Sequence, residues 1–381
     1  MLEKISACLD EYLNSYKWNK FNSDKGHIYS KFKELKNFKE QDFLRENKRR
    51  GFIAIETLYE KMKLFFNNKY ERIEPLHIVN QKEDTLFTSA GVQIFNSNIE
   101  SEKLIKDIFI AQPVIRTQFI GYAKEKEGYS TSFVNVCTEK RNASEEDYIK
   151  HLDSWLSFFS SIGIFAGDLT LKSEIYKPNW KKGEFWEFIL SIDYKGLRLG
   201  DAGYVVELPV GDGKTNVCDF GFGLERIAWA INKTQSYYDT IWPGNVLLGL
   251  DREKIDNIRT ATLLASSNVT PSNKKEGYRL RKLLKNYSGF FEVDTSQLIS
   301  DFYNQWNLFT NLKKSLGETI NTIYKEICRN KNLNIISFLE LSANNFNLEK
   351  DLSEFIKTLL VRGVTAEKLK MFIDGKRISF K

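Results

Sequence analysis

The sequence is poor in the residues that build covalent and metal staples. Of 381 residues only four are cysteine (Cys8, Cys137, Cys218, Cys328) and three histidine (His27, His77, His151). The cysteines are scattered, with no C-x-x-C and no paired histidine. That excludes a zinc site of ordinary spacing and implies thiols in a reducing compartment. Histidines this far apart argue against His-based metal or triad chemistry. No apolar run approaches the length of a membrane span, so no membrane partner is expected. Met1-Leu2-Glu3-Lys4 lacks the basic-then-apolar order of a signal peptide, and a cytoplasmic location is the expectation.

Core-building residues are plentiful: 42% of the chain is hydrophobic and 14% aromatic. The length fits two or three domains. The net charge of +6 is mildly basic, compatible with a nucleic-acid partner without pointing to one.

The chemistry centres on Asp219-Phe220-Gly221-Phe222-Gly223-Leu224-Glu225-Arg226. It follows a strand-like run (Tyr204 to Leu208) and a turn (Pro209 to Lys214), and opens into the apolar helix Ile227 to Ile231. Glycines before a helix let a ligand approach the backbone. The helix start offers N–H groups and a positive dipole end to an anion. Arg226 adds a planar fork suited to phosphate, and Asp219 a carboxylate that could hold an ammonium group. An amino acid beside a nucleotide phosphate suits such a pair. Taken alone, the same residues fit a structural glycine turn whose arginine caps a neighbour.

This stretch resembles motif 3 of class II aminoacyl-tRNA synthetases, most closely the D-T-G-M-G-L-E-R of alanyl-tRNA synthetases. Four further stretches match that family in order. Asp84-Thr85-Leu86-Phe87-Thr88-Ser89-Ala90-Gly91-Val92-Gln93-Ile94-Phe95 is similar to D-P-T-L-L-F-T-N-A-G-M-x-Q-F. Tyr238-Asp239-Thr240 matches the Y-D-T after motif 3. Asn257-Ile258-Arg259-Thr260 and the run Asn268 to Leu284 are similar to D-H-x-R-A and D-G-V-x-P-S-N-x-x-x-G-Y-V-L-R-R-I-L. The matches span roughly residues 50 to 290.

The resemblance implies an α+β fold: an antiparallel sheet flanked by helices, followed by a mainly helical domain. The implied layout is a helical extension over 1–48, a catalytic domain over 49–248 and a helical tRNA-recognition-like domain over 249–381. The reaction implied is activation of an amino acid by ATP with Mg2+, then transfer to the 3′ end of a tRNA. Strands at Ile108 to Thr117 and Ser130 to Val136 are read as a motif 2 hairpin. By position, Arg116 would hold the α-phosphate and Phe133 would stack on adenine. Outside the family context Arg116 reads as a surface ion pair and Phe133 as core. Arg226 would take the γ-phosphate at the helix start behind Gly223. Asp219 and Asp201 would contact the amino acid, which the resemblance makes small and alanine-like. Glu207 is a candidate magnesium ligand, with a solvent-facing strand residue as the alternative.

In the helical part, Asn273 matches the asparagine that reads the acceptor stem, and Arg279, Arg281 and Lys282 form a basic face suited to RNA. A solvated basic face is the plain alternative. The sequence departs from the family in places. Val134 replaces the glutamate of the second motif 2 strand, and Leu360 falls where a second base-pair reader is expected. The His and Cys cluster of the editing domain has no counterpart, so the resemblance is to a short form without proofreading. A ligase passing its adenylate to a carrier protein or small-molecule amine is the runner-up, and a non-catalytic binding module the third reading. The sequence leaves oligomeric state open.

Overall fold

The computed structural model describes residues 1–35, 43, 52–79, 85–96, 106–178, 185–210, 213–244, 251–285 and 295–330. The chain divides into two compact units. The first takes residues 1–76, 80–114 and 133–246; the second takes 77–79, 115–132 and the described residues after 246.

The first unit begins with helix α1 (Leu2–Ser15), whose Ile5, Leu9 and Leu13 form one buried stripe. Strands β1 (Asn19–Ser23) and β2 (Gly26–Ser30) follow as a hairpin. The extension over 1–48 was expected to be helical, but past Ser15 it becomes sheet. β2 pairs antiparallel with a core strand, and its Tyr29 and Ser30 are buried. The Tyr12 hydroxyl, donating to Asp153 at 2.8 Å, ties α1 to the body of the unit.

Helix α2 (Ile55–Phe66) leads into the two-residue strand β3 (Glu71–Arg72) and then β4 (Ile108–Ile115). Strand β5 (Ser132–Arg141) and helix α4 (Glu145–Ser161) come after the second unit's short helix α3 (Tyr122–Glu125). Strands β6 (Leu169–Tyr176), β7 (Trp186–Tyr194), β8 (Leu197–Val210) and β9 (Gly213–Gly223) form a meander. Helices α5 (Leu224–Asn232) and α6 (Tyr237–Ile241) complete the unit. Among the described residues the sheet has nine strands in the order β1-β2-β6-β7-β8-β9-β5-β4-β3. The described pairings are antiparallel except β3 with β4. The expected α+β sheet with flanking helices is the observed one.

Residues 217–223 correct the reading of a glycine turn, because they lie inside β9. Their alternation is of period two, which is the signal for a strand. Cys218, Phe220 and Phe222 point to one face and are fully buried; Val217, Asp219, Gly221 and Gly223 point to the other. The apolar face packs on α4. There Trp155 lies 4.2 Å from the Phe222 ring and donates its Nε1–H to Thr138 Oγ1 at 2.8 Å. Ser144 starts α4 with a capping box closed by Asp147.

The second unit is built on α7 (Arg252–Ser266), which is buried on every side over 255–266. Helices α8 (Lys275–Lys285), α9 (Thr295–Asn307) and α10 (Leu316–Asn330) belong to the same unit. Arg259 is fully buried yet compensated: its guanidinium stacks 4.2 Å from the Trp306 ring and donates to the Ser132 carbonyl. Asp256 accepts from the Thr131 N–H at 2.9 Å and the Thr131 hydroxyl at 2.6 Å. Gly277 is required by close approach. A methyl there would lie 2.3 Å from Ser272 Oγ and 2.4 Å from the Thr270 carbonyl. The expectations for Leu360 and for helix beyond Asn330 lie outside the described residues.

Candidate functional site

The face of the sheet opposite α4 carries the polar side chains. Directly opposed residues of antiparallel strands share a face. The β5–β9 register sets Glu139 against Asp219 and Asn135 against Gly223, and places Phe133 further along the same row. The β8–β9 register sets Gly203 against Asp219 and Asp201 against Gly221. On β7, Ser191 faces Asp201 and Glu187 faces Val205. One surface thus holds Phe133, Glu139, Glu187, Asp201 and Asp219, with Gly203, Gly221 and Gly223 as its floor. Val205, Leu208, Val210 and Val217 close its far end in a core cluster with Ile94, Phe95 and Phe185.

Gly203 gives this surface its shape. A methyl at Gly203 would sit 2.8 Å from Glu187 Oε1 and 2.9 Å from the Asp219 carbonyl oxygen. Its absence is what lets the Glu187 carboxylate lean over β8 towards Asp219. Burial pushes the Glu187 carboxyl up to about 8, with the charges of Asp219 and Asp201 adding to the rise and a hydrogen bond from Tyr176 opposing it. Glu139 is fully buried and is held well above the usual carboxylate range, by burial first and then by Asp219.

β9 runs directly into α5, with Gly223 as its N-cap residue. Gly223 has φ −79°, so no left-handed conformation calls for glycine there. The nearest atoms a methyl would meet are those of the Arg226 stem, from 3.7 Å, an ordinary contact, so a methyl there would not clash at the helix start. Arg226 lies one turn in, half-buried, and its Nη1 donates to the Arg198 carbonyl at 3.0 Å. Arg198 in turn pairs with Asp193 at 2.8 Å and with Asp201 at 2.9 Å. Lys172 reaches the other Asp193 oxygen at 2.7 Å, and Ser191 donates to Asp201 at 2.8 Å. Asp201 is thereby committed to a salt-bridge chain along the sheet. Glu225 is fully buried and accepts the Val134 N–H on both oxygens, at 3.0 and 3.1 Å. It pins β5 to α5 and so fixes where Phe133 points.

The first unit therefore brings together Phe133, Asp201, Asp219, Gly223 and Arg226. Phe133 is half-buried rather than plain core. Arg116 is carried by the second unit, where its N–H donates to the Thr131 carbonyl at 2.8 Å. Glu207 does not fit a metal ligand. Its carboxylate is 62% exposed and bound to Lys214 at 3.1 Å, on a residue with φ 57° at the β8 bulge. Among the described residues no group of three or more His, Cys, Asp or Glu side chains is disposed to hold a metal ion.

In the second unit Asn273 and Lys282 are exposed and Arg279 lies 6.0 Å from the Tyr278 ring. Arg281 is turned inward. It donates to the buried Glu326 at 3.0 Å, which also pairs with Arg329, and to the Asn273 side chain. Its guanidinium joins α8 to α10 rather than standing out with Lys282. Sequence reasoning missed Glu139, Glu187, Arg198 and Glu225. Glu225 was visible only as part of the D-F-G-F-G-L-E-R match; the other three had no local signal.

No protein-family model matches the chain. Its sequence is similar to alanine–tRNA ligases, as the motifs implied. The ligase of Pyrobaculum aerophilum is 22% identical over 365 residues, covering 72% of this chain and 40% of the relative. That of Methanococcus aeolicus is 23% identical over 205 residues, covering 49% and 22%. That of Thermobifida fusca is 30% identical over 121 residues, covering 27% and 13%. The chain thus spans well under half the length of these curated relatives. Among solved structures, pyrrolysyl-tRNA synthetase from Desulfitobacterium hafniense overlaps 53% of this chain and 77% of its own, at 14% identity and a TM-score of 0.37. An overlap that loose carries no argument. Among the described residues no helix is long and apolar enough to cross a membrane.

Proposed function

We propose that this alanine–tRNA ligase-like chain activates an amino acid with ATP and passes it to the 3′ end of a tRNA. The observation that carries the reading is the run from Asp219 on the glycine-floored sheet face to the start of α5, with Arg226 one turn in. A carboxylate for an ammonium group and a cation at a helix N-terminus lie on one continuous segment.

The amino-acid carboxylate attacks the α-phosphorus of ATP. A carboxylate-oxygen to phosphorus bond forms, the bond to the β-phosphate oxygen breaks, and pyrophosphate leaves. The nucleophile is already ionised, so positioning and charge neutralisation do the catalysis rather than a base. Asp219 holds the substrate ammonium. Arg226, with the N–H groups of α5, holds the terminal phosphate. The half-buried Phe133 ring offers a stacking surface for adenine. Arg116 is placed on the α-phosphate by resemblance to the motif 2 arginine. Asp201 steadies the site through Arg198, whose carbonyl fixes the Arg226 guanidinium. Magnesium would come with the ATP phosphates as their counter-ion; Glu207 does not suit it, and no step depends on a protein-bound metal. Asn273, Arg279 and Lys282 are the outward-facing residues proposed for RNA contact.

The test is ATP–pyrophosphate exchange across the twenty amino acids, with Arg226→Ala alongside. Exchange with one amino acid, reduced about 10²–10³-fold by the substitution, supports adenylate formation. Label reaching tRNA then supports the acceptor. Exchange without any tRNA charging would instead favour a carrier protein or a small-molecule amine. Absence of exchange with every amino acid would refute the reading.

A further inference from the structure

Resting on Asn273 as an RNA contact, we infer that Arg281 is a positioning residue. Anchored on Glu326, it locks the Asn273 amide with its NH2 group turned outward, so that Asn273 reads a hydrogen-bond acceptor on a base edge and rejects a donor. The contacts that support this lie within the second unit. Glu326 on α10 is almost fully buried, and its Oε1 accepts the Arg281 Nε–H at 3.0 Å. Arg329, one turn along α10, donates to the other Glu326 oxygen at 2.9 Å. Another arm of the Arg281 guanidinium, Nη1, donates to Asn273 Oδ1. The backbone under Asn273 is fixed as well. Gly277 lies one turn before Arg281 on α8, and its missing side chain lets Thr270 and Ser272 pack against the helix. The Ser272 hydroxyl accepts from the Lys274 N–H at 3.3 Å and donates to the Lys274 carbonyl at 2.9 Å, closing the turn that carries Asn273.

A guanidinium has donors and no acceptor, so the group of Asn273 that faces Arg281 is the carbonyl oxygen and not the NH2. The oxygen and nitrogen of an amide diverge from one carbon, and holding Oδ1 on Arg281 turns Nδ2 away from it. Asn273 is exposed, which puts its amide within reach of a ligand. Lys274, Lys275, Lys282 and Lys285 are exposed on the same turn and helix, a charge complement to RNA phosphates. The base edges of an RNA helix are read in its wide, shallow minor groove, because the major groove is too deep and narrow for side chains. There purine N3 and pyrimidine O2 accept, and guanine adds an amine that donates. A free amide could rotate to meet either. A locked one meets an acceptor and sets donor against donor at the amine. A 2′-hydroxyl both donates and accepts, so the lock discriminates only at a base edge. Lysine in place of Arg281 would keep a charge for Glu326 but lacks the planar fork that holds two partners at fixed angles.

The test uses the full chain and a synthetic hairpin RNA carrying the acceptor stem of whichever tRNA binds it most tightly. Minor-groove amines are added one at a time by 2,6-diaminopurine for adenine, or removed by inosine for guanine. Binding is measured by filter titration at several salt concentrations. In the wild type one stem position should show a penalty for the amine of roughly 3–10-fold, the worth of one hydrogen bond between uncharged groups. Arg281→Lys and Arg281→Ala should both lose most of that penalty. The alanine variant should keep the wild-type salt dependence, since Arg281 holds Asn273 and not a phosphate. Asn273→Asp keeps one oxygen for Arg281 and turns the other outward, so there the amine should become favourable by a similar factor. Asn273 is exposed, so this arm does not depend on how well the Arg281 variants fold. A penalty abolished by Asn273→Ala but unchanged by Arg281→Lys would overturn the inference and leave Asn273 standing as an RNA contact. A shallower salt dependence in Arg281→Ala would overturn it too, by making Arg281 a phosphate contact. If Asn273→Ala changed the response at no position, the reading of Asn273 itself would fall, and the inference with it.

Discussion

Replacing Glu187 with glutamine should make stability less dependent on pH. In the folded protein the Glu187 carboxyl is pushed from its ordinary 4.5 up to about 8, first by burial and then by Asp219 and Asp201. The folded state therefore prefers the neutral acid. Below pH 4.5 both states are protonated and the full contribution to stability is present. As pH rises towards 8 the unfolded chain gains by ionising and the folded chain does not. Stability is lost through that window and levels off above it. One pH unit inside the window is worth at most about 1.4 kcal/mol. The full window would thus amount to roughly 5 kcal/mol, and water reaching a half-buried side chain reduces this to about 2–3 kcal/mol. Glutamine keeps the shape and never ionises. Urea denaturation followed by circular dichroism, at about pH 5 and about pH 8.5, gives the comparison. The stability of E187Q relative to wild type should rise by about 2–3 kcal/mol between the two conditions. Equal pH slopes in the two proteins would show that Glu187 is not held neutral and that the reading of the carboxylate face is wrong. Glu139 acts in the same direction, so a residual slope in E187Q is expected and should fall further in the double variant.

Other substitutions test other joints of the structure. Glu225→Ala leaves the buried Val134 N–H without an acceptor and should destabilise the protein by about 2–3 kcal/mol in the same denaturation assay; no change would mean β5 is held otherwise. Gly203→Ala forces a methyl to within 2.9 Å of the Asp219 carbonyl, and overpacking of that kind should cost about 1–3 kcal/mol and lower exchange activity together. Gly277→Ala should cost a similar ~1–3 kcal/mol in the second unit without changing the amino-acid KM, because its clash is with Thr270 and Ser272. Arg281→Ala should reduce stability more than RNA affinity, since its charge is spent on buried Glu326, whereas Lys282→Ala should do the reverse; a filter-binding titration against salt separates the two.

The sequence by itself determined the order of the motifs, the helices and the residues that meet along one segment. Asp219, Gly223 and Arg226 are close in the chain, so strand-to-helix geometry places them whatever the rest does. The amphipathic stripes of α1, α2 and α4 are read from local periodicity. Local signals misread β9, because two glycines outweighed the alternation of Cys218, Phe220 and Phe222 with Asp219 and Gly221. They also misread residues 19–30, whose strand character depends on an edge at β6 that no short window contains. Only the tertiary structure decided that Glu139, Asp219 and Glu187 share one face, that Arg198 connects Asp201 to Arg226, and that Arg281 turns inward to Glu326. Strand register and helix docking set those encounters. They arise between segments far apart in the chain, where no spacing pattern carries the information, and the cost of burying a carboxylate exists only once the sheet has closed around it.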